Sequence, residues 1–212
     1  MATVTPRESD MLVIVDMQHD FLPGGALAVA DGDAIIPGIR ALAERFRHVL
    51  LTQDWHPAGH LSFASSHPGK APFETTELAY GTQVLWPDHC IQGSPGAEIH
   101  PALRLDAAEL VIRKGFRRGI DSYSAFREAD RETPTGLAGY LRERGVERVV
   151  LCGLALDFCV GWSALDARAM GFETLVVEDL SRPIDTAGSL ARARADMDAA
   201  GVVRLESAAF AG

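Results

Sequence analysis

Short apolar runs recur along the chain, and none of them alternates with polar residues. Continuous runs of this kind are typical of strands in a parallel sheet that is covered on both faces. Five runs predict strands, and a sixth near the carboxyl end predicts one more weakly: 11–15, 49–52, 110–112, 149–152, 174–177 and 202–205.

Amphipathic segments lie between the apolar runs and predict helices at 36–45, 135–144, 158–170 and 188–200. A glycine directly follows each of the last three segments, at Gly145, Gly171 and Gly201, and glycine is the usual helix stop. Alternating strands and helices indicate the α/β class. We expect a three-layer α/β/α domain around a parallel, doubly wound sheet of six strands.

Residues 54–105 interrupt this alternation. The segment is rich in proline, glycine and histidine and contains no clear helix or strand. A loop of this length in a compact domain usually carries function, so we expect it to bind metal or substrate. Because no repeat and no linker divides the chain, residues 1–212 are predicted to form a single domain.

Composition narrows the classes of partner. The 212 residues are 47% hydrophobic and 23% charged, as in ordinary globular proteins, and the net charge is -9. That charge, with no dense basic block, argues against nucleic acid and against an anionic membrane. We therefore expect a small-molecule substrate, and the sequence leaves open whether the chain forms a homo-oligomer.

The cysteines and the amino-terminal segment bear on the compartment. The chain has three cysteines, Cys90, Cys152 and Cys159, and an odd, small number fits free thiols in a reducing compartment. No apolar segment near the amino terminus is long enough for a signal peptide or a membrane span. We predict a cytoplasmic protein.

Four reactive side chains stand at or just beyond the carboxyl ends of predicted strands: Asp16, Asp54, Lys114 and Cys159. In an open parallel sheet these ends border one crevice, where ligands bind. Residues distant in sequence are therefore expected to meet there.

Cys159 is the candidate nucleophile. If the helix begins near residue 158, Asp157 is its predicted N-cap, and Cys159 lies in the first turn at the positive end of the helix dipole. That position favours a thiolate. The alternative is a small buried core thiol, which is how most free cysteines behave.

Asp16 and Lys114 are predicted to form an ion pair, because a carboxylate at the end of an apolar strand is costly to bury alone. Asp16 would then accept the proton of Cys159 and later deliver it to a leaving group. The alternative for this pair is a purely structural salt bridge.

A candidate metal site lies in the segment "QDWHPAGHLSF". Residues i and i+2 of an extended chain point the same way, so Asp54 and His56 can hold one ion, with His60 or His89 as a third ligand. A loop histidine that is merely solvated is the alternative.

The chain resembles the nicotinamidase/pyrazinamidase family of isochorismatase-like cysteine hydrolases. Five ordered blocks carry the resemblance, from about residue 12 to the last strand: "VDMQHDFLPGGALAV", "TQDWHPAGHLSF", "LWPDHCIQGSPGAEIHP", "IRKGFRRGIDSYSAF" and "CGLALDFCV". The family's catalytic triad falls on Asp16, Lys114 and Cys159. Its metal ligands fall on Asp54, His56 and His89, and His60 is a ligand in some members only.

The resemblance also implies the surroundings of the nucleophile. It implies a cis peptide bond before Ala155 and an oxyanion hole formed by the main-chain N–H groups of Ala155 and Cys159. Leu156 stands where the family often has threonine. The side chains expected to enclose the substrate ring are Phe21, Leu27, Trp86 and Tyr123.

The implied reaction is hydrolysis of nicotinamide to nicotinate and ammonia, and of pyrazinamide to pyrazinoate, through a thioester on Cys159, in NAD salvage. The implied cofactor is one divalent metal ion: zinc, iron or manganese. Two alternatives remain at this stage. One is a related hydrolase of another small amide such as an N-carbamoyl compound, and the other is a noncatalytic α/β binding module.

Overall fold

The predicted strands form one parallel sheet in the computed structural model, which describes residues 3–210. In chain order the strands and α-helices are β1 (Asp10–Val15), α1 (Ile36–Ala43), β2 (His48–Asp54), β3 (Thr75–Leu78), β4 (Gly81–Val84), β5 (Ala108–Lys114), α2 (Leu137–Glu143), β6 (Arg148–Leu154), α3 (Gly161–Ala169), β7 (Glu173–Arg182), α4 (Ser189–Ala199) and β8 (Val203–Leu205).

The order of the strands places a crevice at the centre of the sheet. The six strands lie in the order β5-β2-β1-β6-β7-β8, and every neighbouring pair is parallel. The direction of winding reverses between β1 and β6. In doubly wound sheets this reversal opens a crevice at the carboxyl ends of the two strands, and ligands bind there.

Successive residues of the central strands pack alternately into two hydrophobic cores, one on each face of the sheet. Leu12 and Ile14 of β1 pack into the cluster that contains the apolar side of α1. Met11 and Val13 pack into the opposite cluster, together with residues of α2, α3 and α4. Both faces of the sheet are therefore covered, which explains the continuous apolar runs and confirms the three-layer architecture.

Helices α2, α3 and α4 each end within one residue of the predicted end, whereas α1 ends two residues early and α3 begins three residues late. Gly145, Gly171 and Gly201 take positive φ angles of 68°, 93° and 74° beyond α2, α3 and α4. Leu156–Val160 form a wider π-helical turn. It takes in residues 158–160, which were predicted as the start of α3, and Asp157, which was predicted as its N-cap. A Cβ at Gly161 would lie 2.9 Å from the carbonyl oxygen of Leu156, so glycine permits this turn to join α3.

The prediction of no strand within residues 54–105 is wrong at one place. β3 and β4 form an antiparallel hairpin, with Thr75 paired to Val84 and Leu78 to Gly81. Its alternating exposure suits a small ribbon packed on one face, and Gly81 turns it with a φ of 118°. Elsewhere this segment contains loops and short 3-10 turns. No helix in residues 3–210 is long and apolar enough to cross a membrane.

Candidate active site

Asp16 lies directly beyond β1 and is completely buried. Thr52 of the neighbouring strand holds it, because Thr52 Oγ1 accepts the Asp16 N–H at 3.0 Å and donates to Asp16 Oδ1 at 2.5 Å. Asp16 Oδ2 lies 2.8 Å from the ammonium of Lys114 but accepts no aligned hydrogen bond from residues 3–210. One oxygen of this carboxylate is anchored, and the other is available to take a proton.

Lys114 ends β5, and its ammonium group is the centre of the site. Nζ lies 2.8 Å from Asp16 Oδ2 and 3.3 Å from Cys159 Sγ. It also donates to Asp54 Oδ1 at 2.5 Å and to the carbonyl of Ser122 at 3.0 Å. Burial opposes the positive charge, but Asp16 and Asp54 outweigh it and hold the pKa of Lys114 well above its ordinary value. The ion pair predicted from the sequence is present, and Lys114 stays protonated.

Cys159 lies in the π-helical turn and is 7% exposed. The prediction that its position favours a thiolate is wrong for this arrangement. Burial, together with the carboxylates of Asp16 and Asp54, raises the pKa of the Cys159 thiol well above its ordinary value, and Lys114 offsets only part of the rise. The partial charge of one helical turn is smaller than two full negative charges in a buried site. The thiol is therefore protonated at rest and needs a base.

Asp157 does not cap α3, contrary to the sequence-based prediction. The π-helical turn displaces the N-cap position to Val160, which makes no side-chain capping bond. The carboxylate of Asp157 instead accepts the N–H groups of Ile184 and Asp185 at 2.9 and 2.8 Å, and the hydroxyl of Ser189 at 2.5 Å. Asp157 thus ties the nucleophile turn to the loop before α4.

The peptide bond between Leu154 and Ala155 is cis, as the resemblance implied. The carbonyl of Ala155 accepts the N–H groups of Phe158 and Val160, both at 3.1 Å. Ala155 and Cys159 border the same cavity, where an oxyanion hole was expected. Leu156 is buried in the apolar cluster between the sheet and α3, so at this position packing takes the place of a polar contact.

Asp54, His56 and His89 form a buried group whose ligand atoms lie within 4.8 Å of one another. The Nε2 atoms of His56 and His89 lie 3.4 and 3.7 Å from Asp54 Oδ2. The Nδ1 atom of His56 contacts the carbonyl of Gly115 at 2.9 Å, and that of His89 contacts the carbonyl of Pro87 at 2.8 Å. Since a carbonyl only accepts, each Nδ1 carries a hydrogen, and each Nε2 faces Asp54. This donor set fits a divalent metal ion.

The main chain of Asp54 is held from both sides. On one side Asp54 pairs with Lys114 of β5. On the other side the β1–β2 ladder has ended at Ile14 and Leu51, and the buried side chain of Gln18 continues it. Gln18 Oε1 accepts the Asp54 N–H at 2.8 Å, and Gln18 Nε2 donates to the Asp54 carbonyl at 2.8 Å. Gln18 thereby satisfies two buried main-chain groups of a candidate ligand.

His60 lies beside this group, with its ring centroid 4.4 Å from that of His56. Its Nε2 atom contacts the carbonyl of Arg117 at 2.9 Å, and its Nδ1 atom accepts the N–H of Ser62 at 3.1 Å. Burial and the neighbouring His56 lower the pKa of His60, so the ring is neutral. Because both ring nitrogens have protein partners, the geometry favours a supporting position for His60 over a ligand position.

A narrow cavity opens above Cys159 and Asp54. All four side chains predicted to enclose a substrate ring line it: Phe21, Leu27, Trp86 and Tyr123. Trp86 Nε1 donates to the Tyr123 hydroxyl at 3.1 Å, which fixes the two rings relative to each other. His89 and Ala155 also border the cavity. The structure therefore brings the candidate triad, the candidate metal ligands and the apolar walls to one place.

The sequence-based reasoning missed four residues of this site. Phe158, Asp121 and Ile184 line the cavity, and Gln18 holds Asp54. Phe158 adjoins Cys159, and Gln18 lies two residues after Asp16, so proximity to the predicted triad was a usable signal for both. Ile184 follows the end of β7, which extends to Arg182 and so beyond the predicted run. No sequence pattern marked Asp121 as a site residue, although it lies in the block "IRKGFRRGIDSYSAF".

A protein-family model described as the isochorismatase domain matches residues 10–207. A nicotinamidase from Acinetobacter baylyi is 57% identical over 196 residues, which cover 92% of this chain and 92% of that protein. The range matched by the family model includes every candidate triad and metal position.

Three solved structures share the fold. A nicotinamidase/pyrazinamidase from Acinetobacter baumanii has a TM-score of 0.94 at 59% identity and covers 95% of this chain and 97% of its own. PnC1 from L. infantum in complex with nicotinate has a TM-score of 0.85 at 43% identity and covers 98% of each chain. Pyrazinamidase of Pyrococcus horikoshii in complex with zinc has a TM-score of 0.75 at 35% identity, and the match covers 93% of this chain and 99% of that chain. The chain belongs to the isochorismatase family and, within it, to the nicotinamidases and pyrazinamidases.

Proposed function

We propose that this protein hydrolyses nicotinamide to nicotinate and ammonia, and pyrazinamide to pyrazinoate. One observation carries the proposal: Cys159 Sγ lies 3.3 Å from the Lys114 ammonium at the base of a cavity walled by Trp86 and Tyr123. Flat aromatic walls suit a heteroaromatic ring, and the thiol lies where the carboxamide of such a ring would enter. The relatives named nicotinamidase support the same reaction.

The first half of the reaction forms a thioester. Asp16 Oδ2, which is free of aligned hydrogen bonds, takes the proton of the Cys159 thiol, and the sulfur attacks the carboxamide carbon. The main-chain N–H groups of Ala155 and Cys159 bind the oxyanion that develops. Asp16 then returns the proton to the nitrogen, and ammonia leaves.

The second half releases the acid. Asp16, again a carboxylate, takes a proton from water as the water attacks the thioester carbon. That proton returns to the Cys159 sulfur as nicotinic acid departs, and the acid loses its remaining proton to solvent to give nicotinate. Lys114 stays protonated throughout, since Asp16 and Asp54 hold its pKa well above the ordinary value. Its charge keeps Asp16 ionised and in reach of the sulfur.

Asp54, His56 and His89 would hold one divalent ion, and His60 would steady the ring of His56. When bound, the ion supplies a Lewis-acid position for a ring nitrogen of the substrate. One carboxylate and two imidazoles suit zinc, iron or manganese. The zinc in the Pyrococcus horikoshii pyrazinamidase supports zinc as the first ion to test.

The chemistry of the reaction supports a place in NAD salvage, and the free thiols support a reducing compartment. Nicotinate formed from nicotinamide is the form that NAD salvage can reuse, so we place the reaction there. All three cysteines are free and buried, which supports a reducing compartment such as the cytoplasm.

Ammonia release from nicotinamide by the purified, metal-loaded protein tests the proposal, with nicotinate identified by chromatography. The matched control is Cys159→Ala prepared in parallel, which carries the same trace contaminants. We expect release by the unmodified protein and none by the control. Release from N-carbamoyl compounds at a higher kcat/KM than from nicotinamide would overturn the assignment.

A further inference from the structure

The carboxylate of Asp157 makes contacts that the proposed reaction does not use. Asp157 is 4% exposed and lies two residues before the nucleophile. It accepts three hydrogen bonds, from the main-chain N–H groups of Ile184 and Asp185 and from the hydroxyl of Ser189. A buried carboxylate with three donors is a strong, directional tie, and here it joins two segments that are far apart in sequence.

The segment that Asp157 holds, residues 183–188, makes few other hydrogen bonds to the rest of the fold and contains unfavourable backbone angles. Asp185, Ala187 and Gly188 take positive φ angles of 52°, 49° and 75°, and such angles are unfavourable for the two residues that carry a Cβ. The remaining hydrogen bonds of this loop join it to itself and to α4. Within residues 3–210, the Asp157 side chain is the one hydrogen-bonding partner from elsewhere in the fold.

Ile184 gives this tie a consequence for the site. Its side chain lines the cavity together with Cys159 and Phe158, and its main-chain N–H is one of the groups that Asp157 holds. We propose that Asp157 is a positioning residue that latches the 183–188 loop onto the nucleophile turn, and that the latched Ile184 sets the width of the cavity and so restricts the ring that it admits.

The size of reagent that reaches Cys159 tests the latch without relying on the proposed function. Iodoacetamide is small and N-phenylmaleimide is bulky, and peptide mass spectrometry reports alkylation of Cys159 separately from Cys90 and Cys152. We expect Asp157→Asn and Ser189→Ala to raise the ratio of N-phenylmaleimide to iodoacetamide rates about tenfold, since a rigid pocket wall discriminates small groups by factors of this order. Ile184→Ala should raise it similarly.

Asp179→Asn is the matched control. Asp179 makes an analogous tie, accepting the N–H and hydroxyl of Ser207 at 2.7 and 2.5 Å, but it holds a turn outside the cavity. The Asp179→Asn variant should have lower thermal stability but an unchanged ratio of N-phenylmaleimide to iodoacetamide alkylation rates at Cys159. If Asp157→Asn fails to fold, Ser189→Ala still tests the latch. It removes one of the three bonds to Asp157, together with the bond from the Thr186 N–H, and leaves every residue of the nucleophile turn unchanged.

Substrate selectivity deepens the test, and this readout rests on the proposed function. We expect kcat/KM for 5-methylnicotinamide relative to nicotinamide to rise in Asp157→Asn, Ser189→Ala and Ile184→Ala, and not in Asp179→Asn. Unchanged reagent and substrate ratios in Asp157→Asn and Ser189→Ala would overturn the latch. If the unmodified protein does not hydrolyse nicotinamide, the proposed function fails, and the alkylation ratio still decides the latch.

Discussion

The candidate triad and the candidate metal group meet at the contact between Lys114 and Asp54, yet the fold holds them in different ways. Asp16 and Lys114 lie at the ends of strands, and ionic contacts between side chains join them. His56 and His89 lie on loops, and main-chain carbonyls fix their rings. The sheet therefore places Asp16, Lys114 and the candidate ligand Asp54, whereas His56 and His89 depend on loops that are correctly placed.

The same difference appears in the charges. In the triad, burial works against each charge, and the ions stabilise one another through Lys114. In the metal group the two imidazoles depend on orientation, which main-chain carbonyls supply through their Nδ1 atoms. Substitutions in the triad should therefore stop the chemistry, and those around the metal group should change affinity and selectivity.

The largest effect should come from the nucleophile. We expect Cys159→Ala to lower kcat by about 10⁶-fold, as for other catalytic nucleophiles, and to leave the fold intact. Single-turnover kinetics and circular dichroism measure the two quantities. A variant that retained a tenth of the kcat would contradict the role of Cys159.

Asp16→Asn should be nearly as severe, because the same carboxyl serves every proton transfer. Burial raises the pKa of Asp16 from its ordinary 3.8, Lys114 partly offsets the rise, and Asp54 adds to it. Since the ionised form is the active one, kcat/KM should fall as the pH drops through a pKa above 3.8. Equal alkylation rates of Cys159 in Asp16→Asn and the unmodified protein at neutral pH would exclude Asp16 as the activating base.

The metal group should control recognition of the ring. Benzamide has nearly the shape of nicotinamide but lacks the ring nitrogen, so we expect its kcat/KM to be lower by about 10⁴-fold. Pyrazinamide keeps a nitrogen at the equivalent position and should remain a substrate. The difference in kcat/KM between benzamide and nicotinamide should become smaller in His89→Ala and after the metal is removed with a chelator. Comparable turnover of both amides by metal-loaded protein would show that the ion does not recognise the ring nitrogen.

The smallest effect should come from Gln18, which holds Asp54 only through its main chain. Gln18→Met preserves length and removes the hydrogen bonds to Asp54, so we expect zinc affinity of the metal-free protein to fall about 10- to 100-fold. Competition with a chromogenic chelator measures it. Gln53→Met is the control, because Gln53 shares the Ala97 carbonyl with Gln18 without bonding Asp54. An equal loss of zinc affinity in both variants would show that the Gln18 hydrogen bonds to Asp54 do not specifically support metal binding.

The sequence alone determined the architecture and most of the site. Continuous apolar runs required a sheet covered on both faces, and the order of runs and amphipathic segments required parallel strands. Once the sheet is parallel, Asp16, Lys114 and Cys159 are expected at one edge of it, because each lies at or beyond the end of a strand. Local pattern and one topological rule were sufficient for that inference.

Only the tertiary structure decided how these groups behave. The thiol of Cys159 is protonated because it is buried and because the carboxylates of Asp16 and Asp54 lie near it, and no local pattern contains its burial or those distances. Asp157 was predicted to cap its own helix, but the π-helical turn directs its carboxylate to residues 184–189. Long-range contacts decide pKa values and hydrogen-bond partners because electrostatic and hydrogen-bond energies depend on spatial distance, whereas secondary structure follows largely from near neighbours in the chain.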